Sequence, residues 1–184
     1  MRLFVATPLP PALKLEIEAA VEPLRSQLPP ASWVRSDSYH LTYAFLDEQP
    51  VTLIDRLASR LEPSLGPFSR FDATLGAAGF FPSRSRPRVG WLGFEEKDRF
   101  RRLAEQIRTA ARTVDLVLDS KELIPHLTLV RIRRPWSPAE AETFLQAFAR
   151  FGGITLPVTA VSIYESRLSS GGAKHMELRR IELA

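Results

Sequence analysis

The chain has 184 residues, of which 45% are hydrophobic, and it carries a formal net charge of +4 with a sequence isoelectric point near 9.8. That length and apolar content suffice for one well-buried domain, and the positive charge favours an anionic partner. The absence of cysteine excludes disulfides, thiol nucleophiles and cysteine-ligated metal sites.

The first half of the chain predicts alternating strands and helices. Residues 3–6 form a short apolar strand, and apolar side chains spaced three and four apart from Leu13 to Leu28 predict an amphipathic helix. After a brief extended piece comes a strand at 39–46, and leucines from Leu53 to Leu65 repeat every four residues as a second helix requires. Alternation from Phe71 then predicts a strand that pairs with residues 89–92 across a loop at 82–88.

The second half of the chain repeats this order. Apolar spacing predicts a helix over 100–111, a strand over 126–132 and a helix that begins with a capping box at Ser137. Two strands, at 158–166 and 175–183, close the chain and are joined by a hairpin loop at 169–172. Each half therefore contains helix, strand, helix, strand and strand, offset by about 86 residues, and we predict an internal repeat.

The apolar runs are all shorter than the roughly 20 residues that a membrane-spanning helix requires. The N-terminal run is interrupted by Pro8, Pro10 and Pro11, which is unlike a signal peptide. We expect a cytoplasmic, monomeric protein with no membrane partner, formed by a single domain over residues 1–184.

The two predicted strands at 39–46 and 126–132 carry the same motif. The chain has only three histidines, and two of them begin the sequences His40-Leu41-Thr42-Tyr43 and His126-Leu127-Thr128-Leu129. Successive side chains of a strand point to opposite faces, so the leucines enter the core while each histidine shares the other face with a threonine. A pseudo-twofold arrangement of the two halves places one His-Thr pair opposite the other across a groove.

Two facing imidazoles are suited to acid–base catalysis at phosphorus. Imidazole has an ordinary pKa near 6.5, so at neutral pH one histidine accepts a proton while the other donates one. The threonine hydroxyls can hydrogen-bond the phosphate oxygens between the two rings. A metal site is the competing interpretation of paired histidines, but the sequence lacks the usual partners, such as a second histidine four residues away.

The sequence resembles the RNA 2′,3′-cyclic phosphodiesterases, also called 2′-5′ RNA ligases, of the two-histidine (2H) phosphoesterase superfamily. The resemblance covers essentially the whole chain. It is carried by residues 2–10 (RLFVATPLP), 40–46 (HLTYAFL), 81–88 (FPSRSRPR), 125–131 (PHLTLVR) and 164–168 (YESRL).

The resemblance implies an α+β fold that is bilobal and duplicated, with two antiparallel-rich sheets, outer helices and a central cleft. It also implies hydrolysis of 2′,3′-cyclic phosphate ends of RNA, or of cyclic nucleotides, to 2′-phosphates with no metal and no cofactor. We expect His40 to be the proton donor and His126 the proton acceptor, with Thr42 and Thr128 binding phosphate.

Arg131 is a further phosphate-binding candidate, because the resemblance places a basic residue after the second motif. Ideal alternation puts Arg131 on the opposite face of the strand from His126, so this role requires a bulge or a strand end.

Several alternatives stay open from sequence alone. The same residues would serve 2′-5′ RNA ligation as the main role, and a non-catalytic module that binds RNA ends would use them only to hold phosphate. His175 is expected to face solvent on its strand. The arginines of the 82–88 loop could follow an RNA backbone or be ordinary solvated residues.

Overall fold

The computed structural model describes residues 1–119, 121–169 and 172–184, and these residues form four α-helices and nine β-strands. The helices are α1 (Pro11–Gln27), α2 (Thr52–Leu65), α3 (Lys97–Arg112) and α4 (Pro138–Ala149). The strands are β1 (Arg2–Pro8), β2 (Ser32–Trp33), β3 (His40–Glu48), β4 (Phe71–Ser83), β5 (Arg86–Phe94), β6 (His126–Arg131), β7 (Thr155–Val158), β8 (Ala160–Ser169) and β9 (Gly172–Glu182).

All four predicted helices are present, because each combines a stripe of apolar residues with a start signal or a polar opposite face. In α2 the stripe consists of six buried residues, all of them leucine, isoleucine or alanine. The predicted capping box of α4 is formed: the Ser137 hydroxyl accepts from the Glu140 amide at 3.3 Å, and the Glu140 carboxylate accepts from the Ser137 amide at 2.6 Å.

The strands differ from their predicted lengths in two places. β4 and β5 stay paired as far as Ser83 and Arg86, so the predicted loop at 82–88 is wrong: the hairpin turn is only two residues long. The predicted strand at 158–166 is β8, which begins two residues later and pairs with β1 and β9, whereas β7, which ends at Val158, is an additional strand that pairs with β4. The predicted hairpin loop at 169–172 lies partly outside the described residues, which resume with β9 at Gly172.

The described strands follow one antiparallel path, in the order β7-β4-β5-β6-β3-β1-β8-β9, with β2 on the side of β6. The path divides into two lobes, because β3 and β6 pair only at Leu41 and Leu127 before they diverge. Helices α3 and α2 pack together on β3 and β9, and α4 packs on β4. The predicted α+β class is therefore confirmed, and its two sheets are the two arms of one strand path.

Each lobe contains strands from both halves of the sequence. The lobe of β6 includes β4 and β5, and the lobe of β3 includes β8 and β9. A shift of 86 residues carries α1 onto 97–113, where α3 lies, and β1 onto 88–94, within β5. In the sheet β5 borders β6 as β1 borders β3. These correspondences support our proposal of a single bilobal domain with an internal repeat.

None of the described helices is long and apolar enough to cross a membrane. The compartment and the oligomeric state stay predictions.

Candidate active site

A cleft of about 1070 Å³ opens where β3 and β6 diverge. All five residues predicted for the site line it: His40 and Thr42 from β3, and His126, Thr128 and Arg131 from β6.

Strand alternation positions the two His-Thr pairs. On β3 the side chains of Leu41 and Tyr43 are buried, and on β6 those of Leu127 and Leu129 are buried, so each histidine and threonine faces the cleft. Tyr43 is the largest of these four side chains and carries a hydroxyl group into the core. Its hydroxyl lies 2.8 Å from the Thr7 hydroxyl, so burial leaves that group hydrogen-bonded.

Each catalytic candidate is held through the same ring nitrogen. The Nδ1 atom of His40 lies 2.6 Å from the carbonyl oxygen of Ser38, and the Nδ1 atom of His126 lies 2.6 Å from that of Ile124. A carbonyl only accepts, so Nδ1 carries the hydrogen in both rings and Nε2 has the free lone pair in the neutral form. Both histidines are therefore oriented to exchange a proton at Nε2.

The environment favours the neutral form of both imidazoles in the free protein. Burial lowers the pKa of His40 to about 4, with a further lowering from the nearby His175, Lys14 and His126. Burial also lowers the pKa of His126, as does the Arg131 guanidinium. The carbonyls that accept from Nδ1 oppose these effects without cancelling them.

Aromatic rings pack against the two histidines. The Phe4 ring lies 4.7 Å from the His40 ring, between their centroids, and the Phe81 ring meets His126 edge to face at 4.9 Å. Trp91 supports Phe81 at 5.1 Å. This packing restricts the rotation of both imidazoles.

A bulge in β6 brings Arg131 to the cleft. Gly90 and Trp91 of β5 are consecutive, but they pair with Val130 and Thr128, so Leu129 is the extra residue. The extra residue reverses the alternation beyond it. Val130 is therefore buried, and Arg131 joins the face of His126 and Thr128.

The same bulge occurs in β3, where Ala44 and Thr42 pair with consecutive residues of β1 and Tyr43 is extra. This bulge turns the Phe45 side chain to the wall of the cleft, where 66% of the Phe45 surface is exposed. Because β3 and β6 are antiparallel and meet at Leu41 and Leu127, Phe45 and Arg131 lie at opposite ends of the cleft.

The structure corrects the expectation for His175. We expected it to face solvent, but it lines the cleft, and its ring lies edge to face with His40 at 5.0 Å between centroids. No sequence signal predicted this contact, because β1 and β8 lie between β3 and β9 in the sheet.

Further basic side chains that the sequence did not single out also line the cleft. They are Arg2, Arg35, Arg108 and Lys121. The arginines of the β4–β5 hairpin lie elsewhere: Arg84 pairs with Glu142 at 2.7 Å and Arg88 donates to the Arg133 carbonyl at 2.8 Å. Among the described residues, no three histidine, aspartate or glutamate side chains are grouped as a metal site requires.

Comparison with known proteins bears on the chemistry of this cleft. The sequence profile of the 2′-5′ RNA ligase superfamily matches residues 10–169. An RNA 2′,3′-cyclic phosphodiesterase of Thermotoga maritima is 30% identical over 172 residues, which is 94% of this chain and 90% of the relative.

Solved structures are similar over nearly their whole length. The protein TT0787 of Thermus thermophilus has a TM-score of 0.76 at 27% identity, with 100% of this chain and 98% of TT0787 covered. Escherichia coli LigT complexed with 3′-AMP has a TM-score of 0.73 at 27% identity, with 99% of this chain and 97% of LigT covered.

Proposed function

Since this chain belongs to the 2′-5′ RNA ligase superfamily, we propose that it hydrolyses 2′,3′-cyclic phosphate ends of RNA to 2′-phosphate ends, without a metal ion. The observation that carries the proposal is the pair of imidazoles in one cleft, each tied through Nδ1 to its own backbone, which leaves Nε2 to react. The name of the Thermotoga maritima relative, RNA 2′,3′-cyclic phosphodiesterase, supports it, and the 3′-AMP complex of LigT supports an RNA-like ligand, a nucleotide with a phosphate on its ribose.

The proposed reaction is a displacement at phosphorus with two proton transfers. His126 Nε2 removes a proton from a water molecule, and the water oxygen attacks the phosphorus atom. The bond between phosphorus and the 3′ oxygen breaks, and protonated His40 delivers its Nε2 proton to that oxygen. The phosphate stays on the 2′ oxygen, so the product is a 2′-phosphate with a free 3′-hydroxyl.

The low pKa values of the free protein suit the two roles differently. A lowered pKa leaves His126 unprotonated at neutral pH, which a general base needs. His40 must acquire a proton, although its pKa is about 4 before substrate binds. We propose that the phosphate anion supplies the missing stabilisation, since an opposite charge close to an imidazolium raises its pKa.

The remaining cleft residues hold the phosphate in this geometry. The hydroxyls of Thr42 and Thr128 share the faces of the two histidines and donate hydrogen bonds to the phosphate oxygens that do not react. Arg131 adds a guanidinium at the His126 end of the cleft, where its charge stabilises the anion. These three residues thus bind the group on which the histidines act.

Incubation of the protein with 2′,3′-cyclic AMP in EDTA tests the proposal. We expect 2′-AMP as the product, detected by chromatography against a 3′-AMP standard, and a loss of activity in His40→Ala and His126→Ala variants whose circular dichroism is unchanged. Absence of 2′-AMP, or full activity in either variant, would rule the proposal out. If 2′,3′-cyclic AMP is unchanged but 2′-AMP binds tightly, the protein is a non-catalytic module that binds RNA ends.

Ligation is a second candidate, favoured by the name of the superfamily. The 5′-hydroxyl of a second RNA would replace water as the nucleophile, with the same two histidines and the same bond to the 3′ oxygen broken. The product would be a 2′-5′ phosphodiester. A labelled RNA with a 5′-hydroxyl, added with the cyclic phosphate substrate, distinguishes the two outcomes by the length of the product.

A further inference from the structure

His175 stands beside His40 although two strands, β1 and β8, lie between β3 and β9 in the sheet. The beginning of β9 curves towards the turn at Ser36–Ser38, where the Ser38 hydroxyl donates to the Ala173 carbonyl at 3.3 Å. Two residues later the His175 ring meets the His40 ring at an interplanar angle of 89° and the Phe4 ring at 78°. Ring packing therefore fixes His175 against His40.

Hydrogen bonding distinguishes His175 from the two motif histidines. Its Nδ1 atom is buried, and no described residue forms a hydrogen bond with it. The Nδ1 atoms of His40 and His126 each have a carbonyl partner. The tautomer of His175 is thus not fixed by the backbone, and its protonation depends on its neighbours.

Charged groups from several elements surround this pair of rings. Burial is the largest effect on the pKa of His175 and lowers it, the Asp37 carboxylate raises it, and Lys14 of α1 lowers it. Lys14 and His126 also lower the pKa of His40. Tyr164 of β8, stacked on Phe4, donates its hydroxyl hydrogen bond to Glu177 at 3.1 Å, and Glu177 in turn acts on Lys14. Among the described residues, Asp37 has the only carboxylate that shifts the pKa of either imidazole, and it acts on His175.

We propose that His175 is a positioning residue for His40: the two imidazoles form a coupled pair that holds one proton at most, so that protonation of His175 keeps His40 neutral. Two cations with ring centres 5.0 Å apart in a partly buried site repel strongly, which makes the doubly protonated pair unfavourable. His175 is less buried than His40 and lies near the Asp37 carboxylate, so it competes with His40 for the proton.

The catalytic consequence rests on the proposed function, in which protonated His40 donates to the 3′ oxygen. Protonated His175 then reduces the fraction of enzyme molecules in which His40 carries the proton. Replacing His175 by phenylalanine keeps a ring against Phe4 and His40 but removes the competing charge. His40 should bind its proton more tightly in that variant.

Proton NMR titration of the imidazole hydrogens tests the coupling without substrate, and the chain is favourable because it has only three histidines. We expect the midpoint of His40 to rise by roughly one pH unit in His175→Phe, as removal of a like charge at this distance predicts. His175→Lys, which keeps a cation beside the ring, should leave the midpoint of His40 at or below the wild-type value. Met176→Lys is the control, because it adds the same charge at an exposed neighbouring position.

An unchanged His40 midpoint in His175→Phe, or a midpoint in His175→Lys as high as that in His175→Phe, would overturn the proposal. If His175→Phe does not fold, His175→Gln supplies a second neutral variant for the same titration. Kinetics give the second readout: kcat/KM for 2′,3′-cyclic AMP should rise by up to roughly tenfold in His175→Phe at acidic pH, below the pKa of His175, and should change much less at pH 7, where the wild-type His175 is already uncharged. A shifted midpoint in a protein that hydrolyses no cyclic phosphate would refute the proposed function and leave the coupling intact.

Discussion

The Nδ1 atom of His126 lies 2.6 Å from the carbonyl oxygen of Ile124, two residues earlier in the chain, and His40 makes the same contact with Ser38. The contact assigns the proton of each neutral ring to Nδ1. It separates the part of the imidazole that the backbone holds from the part that is free to react, and the two parts can be replaced separately.

His126→Asn tests that separation, because the asparagine amide reaches the place of Nδ1 but not that of Nε2. We expect the variant to keep the bond to Ile124 and a melting temperature near that of the wild type, while kcat/KM for a 2′,3′-cyclic nucleotide falls by about 10²–10⁴. His126→Gln reaches the place of Nε2 but takes up no proton, so it should be equally slow. Wild-type activity in His126→Asn would show that Nε2 is not the reacting atom.

Thr42→Val and Thr128→Val remove one hydroxyl each and keep a β-branched side chain that suits a strand. A hydrogen bond to a charged group contributes about 1.5–3 kcal/mol. We expect kcat/KM to fall by roughly ten- to a hundredfold in each variant, measured at pH 7. Thr155→Val, on the exposed edge strand β7, is the matched control and should keep full activity. Equal activities in all three variants would mean that the hydroxyls do not contact phosphate.

Arg131→Gln should change the pH dependence of the reaction. The Arg131 guanidinium lowers the pKa of His126, so its removal raises that pKa. His126 acts as a base only above its pKa, and the ascending side of the pH profile of kcat/KM should therefore move to higher pH. The salt dependence of KM should also weaken, since one cation near the phosphate is lost.

Arg134→Gln serves as the control for the Arg131 variant, because it removes the same charge three residues away and outside the cleft. An ascending side that moves equally in both variants would point to the net charge of the protein instead of the Arg131 contact.

The stability of the protein should fall at acidic pH, in part because of His40. Its pKa is about 4 in the folded protein and near 6.5 when unfolded, so between these values the unfolded chain binds the proton more tightly. Stability from this group is complete above pH 6.5 and is lost as the pH falls to about 4. The difference corresponds to about 3 kcal/mol in the free energy of unfolding.

Urea unfolding at pH 7 and pH 4.5 measures this loss. His40→Gln cannot take up the proton, so its free energy of unfolding should decrease less between the two pH values than that of the wild type. Because His126 and His175 also have lowered pKa values, the variant still loses some stability between the two pH values, but less than the wild type. An identical decrease in wild type and variant would show that His40 is not buried as an uncharged ring.

The sequence by itself determined the elements that depend on local periodicity. Apolar spacing of three and four located the helices, and alternation located the two motif strands with their histidines and threonines on one face. Leu41 and Leu127 show why this works: a strand with a buried leucine has only one way to orient the polar residues on either side of it. The repeat of the motif then implied two pairs facing one cleft.

Only the tertiary structure decided the features that depend on pairing between distant strands. The bulge at Leu129 exists because β6 and β5 differ by one residue in register, and it moves Arg131 to the face of the histidines against ideal alternation. His175 meets His40 because β9 curves towards the turn before β3. Register shifts and sheet curvature arise from contacts between residues far apart in the chain, and the local pattern of side chains carries no record of them.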